Sequence, residues 1–238
     1  MSEPDWAAAI ETIKPHCFKV ATPQGSGSGF LITFRSSTGF CGVATAYHVI
    51  EHAHEWHEPI KLGHEATRIM TTVQEGDRLI REDKSKDVAV ILFQKGDLAV
   101  PTDALPLVPA DKYIKPGLAI GWAGYPAVAP ERFLFFSGRI SCFLEDVGGY
   151  LVDGVAINGV SGSPAFASFG QGEVTILGLV SAYIPNRVFG ESLPGVSFVA
   201  GIYPFYEIIK GIESLEDARD QEANSQVQNN QQSSLPRL

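Results

Sequence analysis

Ser161 lies in the string Asn158-Gly159-Val160-Ser161-Gly162-Ser163-Pro164, a serine between glycines in a turn bounded by strand-like runs. Acyl transfer needs an exposed hydroxyl and backbone N–H groups that converge on a developing oxyanion, and glycine permits such a turn without a Cβ clash. The N–H groups of Gly159 and Ser161 are the expected oxyanion hole. A plain Gly/Ser β-turn is the commoner meaning of such a string, so the nucleophile reading needs a base. All six histidines fall at or before His64, which puts the base in the first half of the chain. His48 follows the apolar-rich run from Phe40 to Tyr47 and is expected at a strand's end. Asp87 immediately precedes the apolar run Val88 to Leu92 and offers the carboxylate that would hold the imidazole's other nitrogen.

Two other chemistries compete for the same residues. His48-Val49-Ile50-Glu51-His52 also fits the H-x-x-E-H string of inverted zinc peptidases, with His54 and His57 close behind. That site needs a long helix and a further acidic ligand, whereas the flanking sequence reads as a strand end, so no metal is expected. Solvated surface histidines account for His52, His54, His57 and His64. Gly25-Ser26-Gly27-Ser28-Gly29 lacks the Lys-Ser/Thr ending of a phosphate loop and reads as a glycine-rich turn.

The elements that must position these residues are mostly short strands. Trp6, Ala9, Ile10 and Ile13 share one face of a helical pattern over Asp5 to Lys14. Strand-like runs follow at Phe18–Ala21, Gly29–Phe34, Phe40–Thr45, Ala66–Thr72 and Val88–Phe93, separated by Gly, Ser and charged clusters. A connector rich in proline (Pro101, Pro106, Pro109) precedes a second block: Leu118–Trp122, Phe133–Ile140, Tyr150–Val152, Ala165–Ala167, Val174–Tyr183 and Val196–Ile202. Phe205, Ile208, Ile209 and Ile212 then mark a closing helix. The expected division is an N-terminal helix over 1–16, a first barrel over 17–100, a connector over 101–116, a second barrel over 117–203, a helix over 204–216 and a disordered tail over 217–238. Many short strands in two blocks give an all-β class of paired barrels or a sandwich.

The strings GSGFLI (Gly27–Ile32), TAYHVI, KDVAVI (Lys86–Ile91), GYP (Gly124–Pro126) and GVSGSP occur in the order found in trypsin-like peptidases, and the chain most resembles the bacterial, HtrA-like branch. The resemblance covers about residues 17–203. It implies two packed six-stranded β-barrels of the chymotrypsin-like kind, with His48 and Asp87 from the first, Ser161 from the second and the active site in the crevice between them. It further implies a substrate pocket built from Val155 at its base, Asn158, Ser181 close behind the triad, Tyr183, and Gly195 on the opposite wall. Where digestive relatives place Asp before the nucleophile, this chain has Val160, so activation by N-terminal insertion is not expected. No carboxylate stands at the pocket base, which disfavours Lys or Arg before the cleaved bond and favours small or apolar residues. HtrA-like proteins append a PDZ module; the residues after Tyr203 are too few for one.

The expected function is therefore a serine endopeptidase acting through an acyl-enzyme on protein or peptide substrates, without metal or organic cofactor. The alternative is a catalytically inactive domain of the same fold that binds protein. Composition narrows the partners. The 238 residues carry a net charge of −9 and no Lys/Arg cluster, which argues against nucleic acid. Apolar runs fall short of the roughly 20 residues of a membrane helix, and the acidic N-terminus lacks the pattern of a secretory signal. Three widely spaced cysteines, Cys17, Cys41 and Cys142, read as reduced thiols and suggest a cytoplasmic location.

Overall fold

The structure, a computed structural model, describes residues 4–35, 38–170, 172–188 and 191–214; the tail expected over 217–238 lies outside them. Helix α1 (Trp6–Ile13) starts where Asp5 caps it, the carboxylate accepting the Ala8 N–H at 3.1 Å. Its inner face buries Ala9 and Ile13, and Trp6 packs against Phe135 and Phe166. A single 3-10 turn, Lys14–His16, then delivers the chain to the first sheet.

That sheet comprises β1 (Cys17–Thr22), β2 (Gly25–Arg35), β3 (Phe40–Ala46), β4 (Ile60–His64), β5 (Met70–Val73), β6 (Arg78–Asp83) and β7 (Val88–Gln94), with helix α2 (Tyr47–Glu55) between β3 and β4. The strands are ordered β5-β4-β1-β2-β3-β7-β6. The sheet is thus seven-stranded rather than six, and β5 and β6 stand at its two ends without pairing. Arg78 bridges this seam: its guanidinium donates to the carbonyls of Ala53, Glu58 and Val73. The expected strand over Ala66–Thr72 is displaced to β5, because residues 65–68 form a turn closed by the Arg68 N–H on the His64 carbonyl at 2.9 Å.

Residues 95–118 contain no regular strand, as the prolines imply, but Leu107 makes one parallel bridge to Ile176. The second sheet is a closed six-stranded barrel: β8 (Ala119–Gly124), β9 (Leu134–Leu144), β10 (Gly149–Asp153), β11 (Pro164–Gly170), β12 (Glu173–Val188) and β13 (Glu191–Gly201), ordered β10-β13-β12-β11-β8-β9. Helix α3 covers 203–214. No helix among the described residues is long and apolar enough to cross a membrane.

Strand alternation explains why so many strands read as unbroken apolar runs. In β7, Ala89, Ile91 and Phe93 point into the first sheet's own core with Phe18, Leu31 and Val43. Val88, Val90 and Leu92 point the other way, into a cluster that also contains Ile13, Phe30, Phe166, Ile176, Leu179 and Phe205. β12 divides likewise, with Leu177 and Val180 inside the second barrel and Ile176 and Leu179 in the shared cluster. Both faces are buried, so alternation of polar and apolar residues disappears. The shared cluster welds the two sheets together, and both terminal helices seal it.

Candidate active site

His48 is the second residue of α2 and not, as the sequence suggests, the end of a strand. The turn from strand to helix comes immediately after β3, at Ala46, and Tyr47, Ile50 and Ala53 form the buried helical stripe that the short run concealed. Ala46 has no side chain with which to cap the helix. Asp87 supplies the cap from another element: its Oδ1 accepts the His48 backbone N–H at 2.9 Å, while its Oδ2 accepts from the same residue's ring Nδ1 at 2.8 Å. The Tyr47 N–H also donates to the Asp87 carbonyl at 3.1 Å. Asp87 itself adopts a left-handed conformation, φ 54, between a 3-10 turn and β7. Three bonds therefore fix the imidazole to the start of β7. Donation from Nδ1 selects the tautomer with Nε2 free to accept a proton.

A third residue meets this pair. β12 and β13 change register between Val180 and Ala182, leaving Ser181 as an extra residue in β12. Such a bulge re-aims one side chain, and here Ser181 Oγ donates to Asp87 Oδ2. The hydrogen bond to Asp87 raises the His48 pKa above its ordinary value; partial burial opposes it, and the charges of Asp87 and Glu51 reinforce it. Burial pushes the Asp87 carboxyl upward, but the bonds from His48 and Ser181 outweigh it and leave the group below the usual carboxylate range.

Ser161 stands in the loop before β11. Gly159 (φ 93) and Gly162 (φ 86) flank it in the left-handed region. A Cβ on Gly162 would lie 2.1 Å from the Ser28 carbonyl oxygen, and one on Gly159 2.5 Å from that of Tyr125. Glycine is required at both for close backbone approach as well as for φ. The loop is held across the domain boundary: the Ser28 N–H donates to the Ser161 carbonyl at 2.8 Å, and Ser28 Oγ donates to the Gly159 carbonyl at 3.0 Å. The Gly162 N–H reaches the Val180 carbonyl at 2.7 Å. Ser161 Oγ donates to the Ser181 carbonyl at 3.4 Å, and no hydrogen bond joins it to His48. Among the described residues, the N–H groups of Gly159 and Ser161 donate to no backbone carbonyl.

His48, Asn158, Gly159 and Ser161 line one cleft of about 250 Å³, together with Gln24 and His52. A larger hollow of about 780 Å³ lies by the β5–β6 seam and contains none of these groups, so chemistry rather than size identifies the site. Val155 is 50% exposed and does not line the cleft. Tyr183 pairs with Ser197 in the β12–β13 ladder, and its side chain lies outside the described residues; Gly195 is in β13 and half-buried. His48 and His52 do sit one turn apart on α2, but the Nδ1 of His52 is engaged by Glu58 at 3.0 Å. Among the described residues no three His, Cys, Asp or Glu side chains are placed to hold a metal.

The sequence reading overlooked Ser28, a buried serine inside the GSGFLI string. Besides its two bonds to the Ser161 loop, its Oγ accepts the Tyr125 N–H at 2.9 Å and its carbonyl accepts from Thr45 Oγ1 at 2.7 Å. The strings GSGFLI, TAYHVI, GYP and GVSGSP, far apart in the chain, thus converge on one residue. Their small residues were the available signal.

Comparison with known proteins bears on the fold and the family. The chain spans 89% of its length on a serine endoprotease from Yersinia pestis (TM-score 0.65, 17% identity, 67% of that chain). It is similar to Deg5 (TM-score 0.63, 16% identity, 87% of this chain and 94% of that one). It is also similar to the HtrA-type protease AlgW (TM-score 0.65, 19% identity, 88% of this chain), of which it spans 64%. At such identities these likenesses show the fold, a chymotrypsin-like pair of barrels. No curated protein matches the sequence. The sequence profile of the trypsin-like peptidase domain matches residues 27–175, most of the chain and all three of His48, Asp87 and Ser161. The chain therefore belongs to the trypsin-like peptidase family.

Proposed function

We propose that the protein is a serine endopeptidase in which Ser161 is the nucleophile, His48 the general base and Asp87 the residue that orients His48. The observation that carries the reading is Ser181, which touches both halves of the site: its side chain bonds Asp87 and its carbonyl bonds Ser161. Rotation of Ser161 about χ1 releases the hydroxyl from that carbonyl toward the free Nε2 of His48, and catalytic hydrogen bonds are commonly loose without substrate. His48 takes the proton as Ser161 attacks the carbonyl carbon and later returns it to the leaving amine; Asp87 stabilises the imidazolium between these steps. The unengaged N–H groups of Gly159 and Ser161 are the oxyanion donors. Water then hydrolyses the acyl-enzyme by the same proton path.

A small or apolar residue before the cleaved bond is the expected preference, since no carboxylate lines the cleft. The alternative, a protein-binding domain without catalysis, draws on the absence of a Ser161–His48 bond. A fluorophosphonate probe separates the two. Labelling that is lost in Ser161→Ala and His48→Ala supports the peptidase, whereas labelling that survives Ser161→Ala, or never occurs in the native protein, sinks it.

A further inference from the structure

Val160, immediately before the nucleophile, is an apolar side chain buried to 1% exposure. It offers no charge with which to anchor the oxyanion loop, so the polar anchoring must come from elsewhere. The segment Tyr125–Ala127 provides it. The Ala127 N–H donates to the Asn158 carbonyl at 2.6 Å. The Tyr125 carbonyl and the Ala127 nitrogen lie where a Cβ on Gly159 would meet them at 2.5 and 2.7 Å. The Tyr125 N–H shares Ser28 Oγ with the Gly159 carbonyl. This segment is the floor on which Asn158 and Gly159 rest.

The floor is itself fixed by a buried carboxylate from the other domain. Glu65, in the turn after β4, is 5% exposed, and Tyr125, just after β8, is 4% exposed. Tyr125 OH donates to Glu65 Oε2 at 2.5 Å, Arg68 donates to Oε1 at 2.7 Å, and the Glu65 N–H is held by the Cys17 carbonyl at 2.9 Å. A carboxylate taken out of water at a domain boundary is costly unless fully bonded. Arg68 bonds one oxygen within the first domain, but both oxygens are bonded only when the two barrels are docked, because the Tyr125 partner belongs to the second.

We propose that the Glu65–Tyr125 contact is a positioning device for the oxyanion loop, coupling the docking of the two barrels to the placement of Asn158 and Gly159. Neither residue touches the reacting atoms; both act through Ser28 and the Tyr125–Ala127 backbone. The proposal rests on the serine peptidase reading, and its test keeps the two apart.

The test is saturation kinetics of a fluorophosphonate, which separates the phosphonylation rate constant, kinact, from the binding constant, KI, without a known substrate. Tyr125→Phe keeps the ring and removes the bond to Glu65; it is expected to lower kinact about tenfold, short of the 10²–10³ that loss of an oxyanion donor costs, with KI unchanged. Glu65→Leu is expected to behave alike, and Glu65→Gln, which retains an acceptor for Tyr125, to restore most of kinact. The proposal is overturned if Tyr125→Phe reacts at the native rate or if only KI changes. It is equally overturned if Glu65→Gln is as slow as Glu65→Leu, or if the loss merely tracks the unfolded fraction measured by circular dichroism. The Glu65 pair decides the matter should Tyr125→Phe not fold. A native protein that fails to label at all instead defeats the peptidase reading, and this proposal with it.

Discussion

The two halves of the active site are built in opposite ways. His48 and Asp87 come from neighbouring strands of one sheet, since β3 and β7 pair from Phe40–Gln94 to Ala46–Val88 and the residues follow and precede those ends. The two bonds between them lie within the first domain, and Ser181 of the second barrel adds one more to Asp87 Oδ2. Ser161, by contrast, depends on positive-φ glycines and on bonds from Ser28 in the other domain. His48, the proposed base, is held mostly by its own domain, whereas Ser161, the proposed nucleophile, is placed by docking. A lesion in the Ser28 contacts should therefore disable Ser161 while leaving the two His48–Asp87 bonds in place.

Gly162→Ala is the most severe way to break that asymmetry. Left-handed strain alone costs about 1–3 kcal/mol, and the new Cβ would collide with the Ser28 carbonyl and the Thr45 hydroxyl. Fluorophosphonate labelling should be undetectable, while the NMR signal of the His48 Nδ1 proton persists; labelling within tenfold of native would refute the account of the loop. Asp87→Asn attacks the other half. Loss of the correct tautomer should lower the phosphonylation rate about 10⁴-fold, while the α2 cap persists, because the amide oxygen can still accept the His48 N–H. A rate within a factor of ten of native would show that Asp87 does not orient the base.

Ser28→Ala should fall between a structural and a catalytic lesion. It leaves the buried Tyr125 N–H without its acceptor, at about 1–3 kcal/mol, and frees the Gly159 carbonyl. Labelling should slow, and the His48 titration should not move. An altered His48 pKa in this variant would contradict the independence of the two halves.

Acidity gives the gentlest probe. The proposed mechanism needs neutral His48, so labelling should fall with decreasing pH through a midpoint above the ordinary histidine value of about 6.5, and Asp87→Asn should lower that midpoint. Stability follows separate signs. The raised pKa of His48 contributes fully below about 6.5 and is lost as pH rises through the folded value. The depressed pKa of Asp87 contributes fully above about 3.9 and is lost as pH falls through its folded value. Both are complete between about pH 4 and 6.5, where chemical denaturation should show the pair's largest stabilising effect. A midpoint that stays put in Asp87→Asn would remove Asp87 as the cause of the raised His48 value.

The fold was legible in the sequence where an unbroken apolar run fills a strand, as in Val88 to Phe93, and not in β4, whose alternating Ile60, Leu62 and His64 are too few to stand out. β6 also escaped notice because Arg78, Arg81 and Glu82 dilute its apolar positions on an edge strand. Helix α2 escaped because only nine residues long, with four of them His or Glu at exposed positions, it carries a faint stripe. The bulge at Ser181, the Asp87 cap and the Ser28 hub are long-range arrangements. Ser28 and Thr45 differ by 17 positions, and Ser28 and Gly159 by 131; no local pattern encodes such partners. Residue type and order singled out Ser161 and His48, which the structure brings to one cleft, while their supports required the tertiary structure.

The three cysteines carry a practical consequence. Cys17 is buried in the cluster shared by both barrels and Cys41 in the interior of the first sheet, whereas Cys142 on β9 is partly exposed. Burial pushes the Cys41 thiol up to about 12 and the Cys17 thiol also upward, so neither is a nucleophile toward alkylating reagents until its surroundings open. Timed iodoacetamide labelling followed by mass spectrometry therefore reads three clocks in one molecule. Cys142 reports the native surface, Cys17 the parting of the barrels, and Cys41 the unfolding of the first. If Cys17 and Cys41 acquire label at the same rate, the domains part and melt in a single event; if Cys17 runs ahead, an undocked state with two intact barrels precedes it.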